Sequence, residues 1–151
     1  MFIHWEKSWE LGNGLIDTQH RLLILLSRKL DIAIKSNESK ECVLRIMLEL
    51  RKFAEFHFIS EENLMHEIGY PDVELHSLMH TELLKRLESM LVKINYQKEF
   101  PEDLLHFFSN WVTGHMAEAD LKIVNYINRS PQRPVGEQLY KEYLFSNVHS
   151  D

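Results

Sequence analysis

Apolar side chains recur along this chain at three- and four-residue steps rather than in alternation, and glycine and proline interrupt the pattern in only a few places. That period predicts helices and no sheet. Four stretches carry it. Asp17 reads as the N-cap of the first, which runs through HRLLILLSRKL to about Lys35 with Leu22, Leu26 and Lys29 or Leu30 in helical steps, and Asn37 marks its end. The second begins near Ser39, turns Ile46, Leu50, Phe53 and Phe56 or His57 inward, and stops by Gly69. Pro71 opens the third, which keeps Leu83, Leu87, Leu91 and Ile94 in register. Pro101 starts a fourth that continues to about Asn128, with Gly114 as a mild local cost. Connections this short bring neighbouring helices back antiparallel, so the expected fold is all-α, an up-down-up-down four-helix bundle over residues 1–130. A loop with Trp5 and Trp9 precedes it and is expected to cap one bundle end. SPQRPVGEQ breaks the pattern afterwards, and YKEYLFSNV predicts a short helical tail within an extension over 131–151.

Composition narrows the chemistry. A chain of 151 residues makes one domain that buries roughly two-thirds of its unfolded surface. No apolar run reaches the length of about 20 needed to span a bilayer, and MFIHWEKSWE lacks the marks of a secretory signal. Cys42 is the single cysteine, which excludes an internal disulfide and a thiolate metal cage. The net charge of −6, without a Lys/Arg cluster, argues against nucleic acid or an anionic membrane as partner. The expectation is a cytoplasmic protein without membrane insertion, whose metal ligands, if any, are His, Asp and Glu.

Nine histidines are many for this length. His57 and Glu61 are four apart on the second helix, as are His76 and His80 on the third, so each pair projects from one face. About two such pairs are expected by chance in this composition, so spacing alone decides nothing. Position adds to it. His20 lies near the start of helix one, His57 and Glu61 toward the end of helix two, His76 and His80 near the start of helix three, and His115 and Asp120 in the later half of helix four, which is one level of an antiparallel bundle. Asp120 is awkward, because a five-residue step from His115 turns about 140° away on a regular helix. Either helix four widens locally or Asp120 reaches in from the edge of the face. Trp111, one turn before His115, is as well read as core as pocket wall, and His4, His66, His106 and His149 are read as surface or flanking residues.

With these segments in place, the chain resembles the hemerythrin family from Trp5 to about Tyr126. The likeness is carried by GLIDTQHRLL, FHFISEENLM, YPDVELHSLMH and WVTGHMAEAD, with the Trp-bearing lead-in before them. It implies a bacterial-type domain holding two non-haem iron ions joined by a bridging oxide or hydroxide. His76, His80 and His115 would bind one iron, His20 and His57 the other, and Glu61 and Asp120 would bridge them. One position on the second iron would stay open for dioxygen. Val112 stands where the family often carries leucine beside the oxygen, which implies a roomier pocket, so Trp111 and Val112 are the candidate pocket residues. Five neutral imidazoles and two carboxylates are less anionic than a ferritin-like set, which favours reversible binding over oxygen activation. The implied function is dioxygen binding for storage, delivery or sensing, without catalysis. The alternatives are a diiron redox enzyme acting on peroxide or nitric oxide, and a signalling module that contacts a protein partner through the C-terminal tail.

Overall fold

The computed structural model describes residues 3–96 and 103–129; Pro101 and the extension over 131–151 lie outside them. The regular structure of the described residues is helical throughout. A 3-10 turn at Lys7–Trp9 precedes α1 (Gly14–Lys35), α2 (Lys40–Ile68) and α3 (Val73–Tyr96). A fourth rod joins α4 (Asp103–Asn110), a π-helical stretch (Trp111–Ala119) and α5 (Asp120–Arg129). Its backbone stays helical at both junctions, with φ −66° and ψ −37° at Asn110 and φ −73° and ψ −27° at Asp120. At about 1.5 Å per residue, α1 is roughly 33 Å long.

Capping chemistry explains most of the ends. Asn13, not Asp17, is the N-cap of α1: its side-chain oxygen accepts the Ile16 N–H at 3.0 Å. Asp17 sits one turn inside, buried, and accepts the N–H groups of Leu11 at 2.8 Å and Gly12 at 3.0 Å, tying the lead-in loop to the helix. Asn37 takes φ +53° after α1, and the Ser39 hydroxyl accepts the Cys42 N–H to start α2. Gly69 ends α2 at φ +65°, a left-handed cap that suits a residue without Cβ. α3 begins at Val73, two residues after Pro71.

Of Phe56 and His57, His57 is the inward one: Phe56 is 58% exposed, and on α1 Leu22 is 42% exposed while Leu23 and Ile24 are buried. The run LLILL is apolar at every step and so cannot set its own phase. His20 sets it, because an imidazole that faces the bundle centre carries Leu23 and Ile24 inward with it.

Contacts between rods fix their directions. Gln19 meets Ser60 and Lys29 meets Glu49 between α1 and α2; Glu62 meets His80 and Arg51 meets Glu88 between α2 and α3. Arg86 lies over the Phe107 ring while His76 reaches Asp120, and His20 reaches the same Asp120 from α1. Numbers rise on one rod as they fall on its neighbour, which is antiparallel packing all round.

The core has two apolar blocks with a polar layer between them. The larger gathers residues such as Leu30, Met47, Leu50, Leu87, Ile94 and Phe108, and the smaller gathers Ile16, Leu64, Met65, Tyr70, Ile123 and Ile127. Trp5 and Trp9 pack edge-to-face at 6.0 Å and lean on Ile24, Val112 and Met116, so they cover the flank between α1 and the fourth rod. Among the described residues no helix is long and apolar enough to cross a membrane.

Truncating the fully buried Leu50 to alanine is expected to cost about 2–5 kcal/mol in chemical denaturation, through lost burial and an unfilled cavity. The same truncation at the exposed Phe56 should cost under about 1 kcal/mol, and equal losses at both sites would contradict this packing.

Candidate metal centre

Between the two apolar blocks lie His20, His57, Glu61, His76, His80, His115 and Asp120, none more than 8% exposed. Every one of the seven sequence-derived candidates is therefore brought to a single layer. His4, His66 and His106 are exposed on the outside, and His149 lies outside the described residues.

The layer divides into two chambers. Glu61, His76, His80, His115 and Asp120 each offer one ligand-type atom to a first group whose atoms all lie within 4.8 Å of one another; His20, His57, Glu61 and Asp120 form the second. The carboxylates belong to both, one oxygen to each side. Glu61 Oε1 lies 2.9 Å from His76 Nε2 and 3.5 Å from His80 Nε2, while its Oε2 lies 3.0 Å from His57 Nε2 and 3.9 Å from His20 Nε2. Asp120 Oδ1 lies 3.1 Å from both His76 Nε2 and His115 Nε2, and Oδ2 lies 2.9 Å from His20 Nε2.

Asp120 reaches this place through the helix distortion that the five-residue step requires. The Asp120 N–H bonds back to the His115 carbonyl, closing an i to i−5 turn, so the π-helical stretch brings the two side chains onto one face. Local widening is therefore the answer, and edge reach is not needed. Gly114 sits inside the stretch with open space where a Cβ would stand.

These donors fit a metal site better than they fit one another. His20 Nε2, His57 Nε2, Glu61 Oε2 and both Asp120 oxygens are buried without a hydrogen-bond partner. Yet His20 Nε2 and Asp120 Oδ2 are only 2.9 Å apart. The separations are short, but the atoms are not aligned as donor and acceptor; they converge on common points. Atoms cis to each other on a six-coordinate ion at about 2.1 Å sit about 3 Å apart, which matches this spacing. A buried carboxylate pair left without cations would be costly, so the donor set calls for positive charge.

The titration behaviour says where that charge goes when only protons are available. Burial pushes His76 down, but the adjoining Asp120 and Glu61 carboxylates outweigh it and hold its pKa at about 9. Burial likewise opposes charge on His20, and Asp120 and Glu61 overcome it to hold that ring above its ordinary value. His57 is lowered, chiefly by burial. Burial and the neighbouring Glu61 would raise Asp120, but His115 and His20 hold it at about 2; Glu61 is kept well below the usual range against its burial by His57, His76 and His80. One raised histidine thus stands in each chamber, where a cation would otherwise neutralise the carboxylates.

Around the layer, His57 Nδ1 is 2.8 Å from Gln19 Oε1, and His80 Nδ1 is 2.8 Å from Glu62 Oε1. Phe58 stacks on His80 with centroids 4.1 Å apart and planes 10° apart. No local spacing pointed to Glu62 or Phe58, because both act across helices; Gln19 could be noticed only as the neighbour of His20. Of the two pocket candidates, Trp111 packs in the core against Phe58 and Phe108, and Val112 lies with Ile24 and Met116 under Trp9.

A model of the Hemerythrin HHE cation binding domain matches residues 11–127. A bacteriohemerythrin from Clostridium acetobutylicum is 32% identical over 130 residues, covering 83% of this chain and 100% of that protein. Bacteriohemerythrins from Campylobacter jejuni (serotype O:23/36) and Stenotrophomonas maltophilia are 29% and 27% identical, covering 80% and 77% of this chain and 92% and 75% of theirs.

Because His76 is raised, its contribution to the stability of metal-free protein is fully present below pH about 6.5 and is lost as pH climbs through about 9. Denaturation midpoints of the metal-free chain should accordingly fall between pH 6.5 and 9.5, and divalent-metal loading near neutral pH should release protons into a dye-reported buffer. Loading without proton release would contradict this assignment.

Proposed function

The chain belongs to the hemerythrin family, and we propose that it holds two non-haem iron ions and binds dioxygen reversibly, as a carrier or store rather than a catalyst. The observation that supports this most strongly is the division of each carboxylate between the chambers, one oxygen facing His76 and the other facing His20 or His57. On this reading His76, His80 and His115 would hold one ion and His20 and His57 the other, with Glu61 and Asp120 shared between them. Two iron ions held there would supply reversible two-electron exchange with dioxygen.

The donor count makes the two ions unequal. One chamber offers three imidazoles and two carboxylate oxygens, the other two imidazoles and two oxygens. The set with one imidazole fewer, on the side of His20 and His57, would leave room on its ion for an exogenous ligand. His20 lies one turn from Ile24, and Asp120 one turn from Met116; together with Val112 these make an apolar wall beneath Trp5 and Trp9. Such a wall admits a small neutral molecule and resists water and anions.

Iron-loaded protein, reduced anaerobically and then given air, should develop a visible charge-transfer band that vanishes under vacuum and returns with air. Irreversible conversion to the diferric spectrum would overturn the proposal in favour of a redox role. In the same assay Val112→Leu should slow autoxidation several-fold by filling space along the wall; an unchanged rate would show that Val112 does not control access.

A further inference from the structure

Five buried imidazoles face the metal layer, and two of them are held from behind in chemically different ways. His80, in the three-histidine chamber, points Nδ1 at a carboxylate oxygen of Glu62, 2.8 Å away. His57, in the two-histidine chamber, points Nδ1 at the amide oxygen of Gln19, also 2.8 Å away. A carboxylate can only accept, so the His80 ring must donate from Nδ1 and present Nε2 inward. The Gln19 amide is oriented by its own Nε2, which donates to the Ser60 hydroxyl at 3.0 Å; its oxygen is thereby left to accept from His57. His20 Nδ1 is buried with no hydrogen-bond partner. One chamber therefore has an ionised acceptor behind a ring, and the other has a neutral one.

We propose that Glu62 and Gln19 are positioning residues that fix His80 and His57 with Nε2 toward the metal, and that the charge on Glu62, which Gln19 lacks, adds to the affinity of the three-histidine chamber beyond its extra imidazole. This inference rests on the proposed metal-binding role of the layer. Hydrogen bonds to a charged acceptor are roughly twice as strong as neutral ones, and a carboxylate behind a ligating imidazole raises its basicity. The ring of His80 is also clamped face-on by Phe58, so its orientation is set from two directions. Glu62 lies on α2 beside Glu61, so one helical segment supplies both a shared carboxylate and the acceptor behind a ring contributed by α3. Its side chain is 30% exposed, which lets it change without opening the core.

Cobalt(II) is a suitable probe, because it reports by its visible bands and takes no part in dioxygen chemistry under anaerobic conditions. Competition with a chelator should resolve two binding steps in the unaltered chain. Glu62→Ala should weaken one step by about 10- to 100-fold and the other by under about threefold, and Gln19→Ala should weaken the opposite step. Glu62→Gln keeps an acceptor without the charge and should recover part of the Glu62→Ala loss. In the metal-free chain, nitrogen-15 NMR should find the His80 proton on Nδ1, and Glu62→Ala should redistribute it. Equal weakening of both steps, no weakening, or an unmoved tautomer would overturn the proposal. If two cobalt ions bind as described but the iron form fails to oxygenate reversibly, the carrier reading falls and this one stands. If Glu62→Ala changes nothing while iron-loaded protein still oxygenates, the reverse holds.

Discussion

Two carboxylates with no access to water, Glu61 and Asp120, are the constraint on which the rest of this molecule depends. Ionised and enclosed between apolar blocks, they must be compensated by positive charge within a few ångströms, and five imidazoles surround them. Imidazoles can share a proton with a carboxylate or give a lone pair to a cation. The layer is thus built to exchange protons for metal ions. The apolar blocks above and below raise the energy of any uncompensated state by excluding water, which makes the exchange strongly favourable.

The distorted stretch at Trp111–Ala119 follows from the same requirement. A regular helix can direct His115 or Asp120 to the layer, but not both, and a structural bundle would have no reason to give up regular hydrogen bonding there. Bringing both inward supplies the second shared carboxylate, without which the chambers would have only Glu61 in common. The lead-in loop has a related part: Asp17 ties it to α1, which holds Trp5 and Trp9 over Ile24 and Val112 on the side of the two-histidine chamber.

Much of this was legible in the sequence because helical period, cap residues and ligand spacing are local signals. The four rods and the shared level of the seven residues follow from counting along the chain; their reading as one ligand set came from the family resemblance, and counting left open whether helix four widens or Asp120 reaches in from the edge. What stayed hidden depends on contacts across the chain. The run LLILL offers no phase of its own, so nothing local tells that Leu23 and Ile24 rather than Leu22 face inward. Asp17 reads as the cap until the loop before it is folded, when Asp17 turns to Leu11 and Gly12 and Asn13 takes the cap. Glu62 carries no local mark at all, since its partner His80 is 18 residues away on another rod.

Metal content tests the central claim most directly. Protein reconstituted anaerobically with ferrous iron and freed of loosely held metal should carry two iron ions per chain by elemental analysis. Replacing the shared Glu61 with alanine should remove both, whereas His20→Ala should leave one. A single ion in the unaltered chain, or retention of two after Glu61→Ala, would contradict an account in which the carboxylates join two chambers into one centre.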